Sequence, residues 1–145
     1  MEFVKEFATF LHQKGVIRFG DFTLASGKKS SYYVDLRTVP SFPHQFRHMI
    51  KHLQNAISDE IGLDSFDAIA SVPTGGLVIA SALALETVKP LVYVRSQAKS
   101  YGTGKLVEGV VTEGMKILVV DDVATTGGSV INGIRELRKA GAVVS

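Results

Sequence analysis

Hydrophobic residues recur along this chain with two different periods, and the change between them divides it. Phe3, Phe7, Phe10 and Leu11 return at helical spacing, and Gly15 stands where a glycine ends a helix. Residues 16–37 predict short strands broken by turns: Val16-Ile17, Phe22-Thr23-Leu24 and Tyr32-Tyr33-Val34-Asp35-Leu36. The stretch from Ala25 to Ser30 has turn composition. A second helix is predicted from Pro43, burying Phe46, Met49, Ile50, Leu53, Ile57 and Ile61 and stopping at Gly62.

From Ala68 onward the order becomes strand, loop, helix. Ala68-Ile69-Ala70-Ser71-Val72 is a short apolar run, followed by Pro73-Thr74-Gly75-Gly76 and a helical segment from Leu77 to Glu86. Leu91-Val92-Tyr93-Val94 is the next strand. Ile117-Leu118-Val119-Val120 is a third, unalternated and β-branched, as a strand buried on both faces should be. It leads through Asp121–Gly128 into a helix with Val130, Ile131, Ile134 and Leu137 on one side and Gly141 as its cap. Strands alternating with helices predict an α/β fold with a mostly parallel sheet. Ala142-Val143-Val144 opens one more strand, so the expectation is a sheet whose C-terminal strand or strands are cut short at Ser145.

Composition narrows the class. A chain of 145 residues fits a single domain, and 46% hydrophobic with 21% charged residues is ordinary for a soluble protein. No apolar run reaches about 18 residues, and Met1-Glu2-Phe3-Val4-Lys5 opens an amphipathic helix, not a secretion signal. The absence of cysteine excludes a disulfide framework and thiolate metal sites. These features favour the cytoplasm and argue against a membrane role. A net charge of +2 gives no support to nucleic-acid binding, although it suits a polyanionic substrate.

The strongest chemical signal is the string from Ile117 to Ser129. In open α/β sheets, ligands sit beyond the carboxyl ends of the strands. Here a buried strand delivers Asp121 and Asp122 to that edge. Val123, Ala124, Thr125 and Thr126 follow, then Gly127-Gly128, Ser129 and a helix start. Free backbone N–H groups, hydroxyls and a helix N-terminus make a site for a phosphate monoester. Two carboxylates beside a phosphate would repel it unless they serve something else, and ribose hydroxyls or a bridging metal are the natural choice. The chain has neither a Walker loop nor a Gly-x-Gly-x-x-Gly fingerprint.

This string resembles the signature of the type I phosphoribosyltransferases, which use 5-phosphoribosyl-1-pyrophosphate (PRPP). The resemblance extends over nearly the whole chain. The segment from Phe22 to Asp35, with its Ser26-Gly27-Lys28-Lys29-Ser30-Ser31-Tyr32-Tyr33 core, is similar to the N-terminal hood of the orotate branch. Thr74-Gly75-Gly76 resembles the pyrophosphate loop, and Arg95–Gly104 the mobile catalytic loop. Single residues here have plainer readings, such as surface lysines, packing tyrosines or a simple turn, but their order matches the family.

The resemblance implies a helix and hood over 1–40 and a core over 41–145. It implies that Asp121 and Asp122 hold the ribose hydroxyls, and that residues 123–129 wrap the 5-phosphate. Arg95, Lys99 and Tyr101 would meet pyrophosphate, with Arg95, Lys99, Asp121 and Asp122 as the catalytic set. Thr125, Tyr33 and Lys28 would lie toward orotate. Mg²⁺ would arrive with PRPP, with no metal bound directly by the protein. A lid over 96–109 would act across a homodimer interface. Three positions depart from the family pattern: Ala25 and Ser96 where lysine is common, and Tyr101 where histidine is. The arginine that usually grips the orotate carboxylate is expected on a later segment. A transferase for another base and a non-catalytic PRPP-sensing regulator are the alternatives; neither a purine-type loop nor a basic DNA-binding helix is visible.

Overall fold

The computed structural model describes residues 2–24, 26–97 and 105–144. The chain forms two compact units, Met1–Met49 and Ile50–Ser145, whose boundary falls inside a helix.

In the first unit, helix α1 (Glu2–Gln13) carries its aromatic stripe as a stack: Phe3 on Phe7 at 5.3 Å and Phe7 on Phe10 at 5.8 Å between ring centroids. Gly15 ends it at φ 67, and Val16 N–H returns to Leu11 O at 2.8 Å. Strands β1 (Ile17–Thr23) and β2 (Lys29–Val34) form an antiparallel hairpin. The expected break between two short strands is instead an irregularity inside β1. Phe19 pairs with Tyr32 and Phe22 with Ser30, so β1 takes one residue more than β2. Gly20, at φ 153, absorbs that extra residue. A 3-10 turn over Leu36–Ser41 follows, opened by the Asp35 carboxylate accepting from Arg37 N–H. Leu11, Val16 and Val39 are the core, with Phe7, Phe10, Ile17, Leu36, Phe46 and Met49 packed around them.

Helix α2 (Pro43–Glu60) runs on from this unit and buries Ile50 and Ile57. Ile61, expected on that face, is 49% exposed. Ile61 N–H still makes the helical bond to Ile57 O, but Gly62 N–H turns back to the same carbonyl, so the helix closes here and leaves the Ile61 side chain on the exposed last turn.

The second unit is a four-stranded sheet in the order β5-β4-β3-β6. Strand β3 (Ala68–Ser71) lies parallel to both β4 (Leu91–Val94) and β6 (Ile117–Val119), and β5 (Val107–Glu108) runs antiparallel to β4. All four residues of β3 are buried. β6 is less enclosed than its composition predicts: Ile117 is buried, but Leu118 and Val119 only partly. Among the described residues its second side is paired only by the bridge from Lys116 to Val143, which covers one end of the strand.

Helix α3 (Gly75–Thr87) follows β3, and α4 (Gly128–Lys139) follows the loop after β6. α4 buries Gly133 and Leu137, while Ile131, expected inside, is 47% exposed. Gly133 explains the rotation. Its backbone lies so close to β-branched Val72 that a Cβ there would stand 2.7 Å from Cγ1. The helix therefore lays residues 130, 133, 134 and 137 on the sheet and turns Ile131 about 100° away.

That rotation has measurable consequences. Leu137→Ala should cost about 2–5 kcal/mol in urea unfolding, whereas Ile131→Ala should cost under about 1 kcal/mol. Gly133→Val should cost about 1–3 kcal/mol by overpacking against Val72. Equal costs for Ile131 and Leu137 would contradict this placement.

Candidate active site

Parallel pairing brings the chemistry together. β3 and β6 are neighbours in the same direction, so the loops that leave them start at the same edge of the sheet. β3 ends in Ser71, continues through Val72 and a cis Pro73–Thr74 peptide, and enters α3 at Gly75. β6 ends at Val119, extends by a Val120 N–H to Ala70 O bond of 2.9 Å, and delivers Asp121 and Asp122.

The two loops touch. A Cβ on Gly76 would overlap the Asp121 carboxylate and lie 2.6 Å from Ser71 Oγ and 3.0 Å from Asp121 Cα. Only glycine allows the first turn of α3 to approach β6 so closely, and this is the structural reason for glycine at the second Gly of Thr74-Gly75-Gly76. Ser71 is almost fully buried and bonds Val72 O at 3.2 Å. Nothing along the chain marks it, because a serine inside an apolar run reads as a strand residue.

Both helices begin here without a side-chain cap. Neither Thr74 at α3 nor Gly127 at α4 supplies a capping hydrogen bond. Gly127 sits at φ 72, a left-handed turn that starts α4, and its carbonyl accepts from Ile131 N–H. The first N–H groups of each helix have no partner within the helix, and the positive end of each dipole adds to them. Val123, Ala124, Thr125 and Thr126 are exposed in the loop between, with Ser129 exposed in the first turn of α4. Such an edge accepts anionic oxygens, and the exposed threonine hydroxyls add donors.

The carboxylates have different surroundings. Burial pushes the Asp121 carboxyl above the usual aspartate value, and the neighbouring Asp122 carboxylate pushes the same way. The Asp122 N–H, donated to Asp121 Oδ1 at 3.0 Å, opposes both. Asp121 is therefore a desolvated acceptor poised against a helix start, which suits a hydroxyl or a cation.

Arg95 follows β4 at the same edge, its N–H bonded to Leu106 O at 2.9 Å. Its guanidinium donates to Gln97 O at 3.2 Å and pairs with Glu108 at 3.4 Å. Lys99 and Tyr101 lie outside the described residues. The lid expected over 96–109 needs one correction: Val107 and Glu108 are strand β5, and Leu106, Val107 and Val111 pack on the core. Three apolar residues scattered among glycines do not register as a strand until a partner edge is present.

Lys28 and Tyr33 belong to the first unit and Thr125 to the second. Lys28 is exposed in the hairpin turn. Tyr33 lies against Phe22 at 5.7 Å, has the Arg18 guanidinium over its ring at 5.5 Å, and its hydroxyl meets Arg37 Nη2 at 3.3 Å. Arg37 in turn grips Asp35 through two contacts, 2.6 and 2.9 Å, which hold that carboxyl below its usual range. This Tyr33–Arg37–Asp35 chain was not visible in the sequence beyond the tyrosine itself.

The Phosphoribosyl transferase domain family model matches residues 43–144, the stretch that carries this parallel edge, its acidic pair and both helix starts. The orotate phosphoribosyltransferase of Cenarchaeum symbiosum is 59% identical over 145 residues, covering 100% of this chain and 72% of that protein. That of Pyrococcus horikoshii is 43% identical over 99% of this chain and 76% of its own length. The crystal structure of orotate phosphoribosyltransferase from Aeropyrum pernix superposes with a TM-score of 0.81 at 39% identity, covering 95% of this chain and 76% of that one. The chain belongs to the orotate phosphoribosyltransferase family.

The Asp121 environment predicts a sign. The folded protein holds this proton more tightly than the unfolded chain, so the group favours folding below about pH 3.8 and that contribution is lost as pH rises through the raised folded value. Asp121→Asn should raise the thermal midpoint at pH 7, with the gain shrinking toward zero in acid, while weakening ribose 5-phosphate binding. A lowered midpoint at neutral pH would mean that the carboxylate stabilises the fold.

Proposed function

We propose that this chain transfers the phosphoribosyl group of PRPP to orotate, giving orotidine 5'-monophosphate and pyrophosphate. The observation that carries this reading is the contact of Gly76 with Asp121 and Ser71, which sets two uncapped helix starts beside one acidic pair. Asp121 and Asp122 accept from the ribose hydroxyls. Residues 123–129 hold the 5-phosphate through backbone N–H groups and the hydroxyls of Thr125, Thr126 and Ser129. Thr74, Gly75 and Gly76 face the pyrophosphate. Thr125, Tyr33 and Lys28 are the candidate contacts to orotate.

The bond from C1 to the pyrophosphate oxygen breaks as the base nitrogen approaches the opposite face, with inversion at C1. Positive charge grows on the ribose ring and negative charge on the leaving group. Arg95, Lys99 and Tyr101 donate to that leaving group, where the interaction strengthens as the bond breaks. Orotate is already an anion, so no strong general base is required. The segment around Lys99 excludes water that would otherwise hydrolyse PRPP.

The hard carboxylate oxygens of Asp121 and Asp122 are the type of donor that suits Mg²⁺, and they would stand beside an ion that PRPP itself carries, with none bound by the protein directly. An ion brought in on PRPP fits that donor set, and it would neutralise charge on the pyrophosphate.

A homodimer is part of this reading. Val78 and Leu85 on α3 and Val88 at its C-terminal cap expose 40%, 83% and 90% of their surface, an apolar patch that a second copy would cover. The lid would then complete the partner's site. Among the described residues no helix is long and apolar enough to cross a membrane, and a cytoplasmic setting suits a cysteine-free chain.

Pyrophosphate release from PRPP should be seen with orotate and not with uracil, adenine or hypoxanthine. Preference for another base would overturn the assignment. Lys99→Ala should lower kcat by about two to three orders of magnitude with little change in PRPP affinity. An unchanged kcat would place Lys99 on the surface. Leu85→Glu should shift sedimentation from dimer to monomer.

A further inference from the structure

Glu108 has no part in the reading above, yet its position is built. It stands on β5 directly opposite Tyr93 of β4, in the antiparallel register that also pairs Val94 with Val107. Side chains alternate across a strand, so Val94 and Val107 turn to one face and Tyr93, Arg95 and Glu108 to the other. Arg95, two residues beyond Tyr93, therefore meets Glu108 on the diagonal of the same face, a spacing that long side chains span. The contact is Arg95 Nη1 to Glu108 Oε1 at 3.4 Å, with both side chains partly exposed.

From this geometry we infer that Glu108 is a positioning residue, which orients the Arg95 guanidinium toward the pyrophosphate of PRPP. The inference rests on the proposed function for the identity of that ligand. A guanidinium carries five N–H donors in a flat fork. In Arg95, Nε is used by Gln97 O and one Nη1 donor by Glu108. Among the described residues that leaves one N–H on Nη1 and two on Nη2, and an Nη1–Nη2 edge can bind a phosphate in a bidentate manner. Without the carboxylate, Arg95 keeps its charge and its bond to Gln97 O but loses one of its two anchors, and each phosphate contact must then supply the order that Glu108 gave.

A second feature fits this role. Gly109, immediately after Glu108, lies so close to β4 that a Cβ would stand 2.9 Å from Leu91 O, at φ 105. The chain leaving β5 is thus pressed onto β4, which fixes the height of Glu108 along the strand. The pairing of Arg95 N–H with Leu106 O fixes the other partner.

The test is a double-mutant cycle read by calorimetric titration of PRPP into the full chain, which needs no turnover and no choice of base. Glu108→Gln should weaken PRPP binding by roughly three- to tenfold, the size expected when one partly exposed contact stops holding a side chain. Glu108→Asp should recover part of the loss. In an Arg95→Gln background, Glu108→Gln should have no further effect, because it acts through Arg95. In steady state the KM for PRPP should rise while the KM for orotate stays unchanged. An equal effect of Glu108→Gln with and without Arg95 would overturn the inference, as would tighter PRPP binding, which would make Glu108 a competitor of the ligand. Failure of the unaltered chain to bind PRPP would instead overturn the proposed function, and the role of Glu108 with it. Binding of PRPP without turnover of orotate would sink the base assignment alone and leave the cycle valid.

Discussion

The close approach of Gly76 to Asp121 and Ser71 is the constraint on which the second unit turns. Parallel pairing of β3 with β6 sends both strands to one edge, and the helices that follow must begin there. Two helix starts and two strand ends cannot share that space if each carries a side chain. Glycine at position 76 lets α3 begin directly beside Asp121, and the helix then leaves across the sheet with Ile79, Ala80, Leu83 and Ala84 buried. The same closeness desolvates the Asp121 carboxylate and raises its proton affinity. The site is thus stressed where it is useful: a partly buried acid next to a buried serine, with helix N–H groups facing the same space.

The cost is offset by the apolar body of the sheet. β3 is buried along its whole length, and Val92, Val94, Ile117, Leu137, Ala142 and Val144 form one cluster with it. Burying side chains of this size contributes about 1.5–3 kcal/mol for each of the larger ones, enough to carry one unfavourable carboxylate. Charge elsewhere at this edge is kept off the core. Arg95 is tied to Glu108 on the neighbouring strand, and the exposed loop 123–126 presents backbone and hydroxyls in place of cations.

The first unit solves a different problem with shorter-range means. Its hairpin is too small to bury a large core, so aromatic stacking of Phe3, Phe7 and Phe10 and the Asp35–Arg37 fork supply order locally. Arg37 also reaches the Tyr33 hydroxyl, so the tyrosine nominated for the base side is held by charge-assisted contacts within a few residues of itself.

Those local features can be read from the chain alone. The aromatic stripe of α1, the glycine stops at Gly15 and Gly141, the strands at 68–71 and 91–94, and the Asp-Asp to Gly-Gly string all follow from neighbours a few residues apart, where spacing and turn chemistry act alone. The tertiary structure decided the rest. Whether Ile131 or Gly133 faced the sheet depended on Val72, some sixty residues away in the chain, because only a missing Cβ fits there. Whether residues 107–108 were lid or strand depended on the open edge of β4. The pairing of Glu108 with Arg95 and the burial of Ser71 beside Asp121 likewise arise only when separate strands lie side by side. Local periodicity records which face of an element is apolar, but which residue meets which across two elements is settled by shape and register, and neither exists until the sheet has formed.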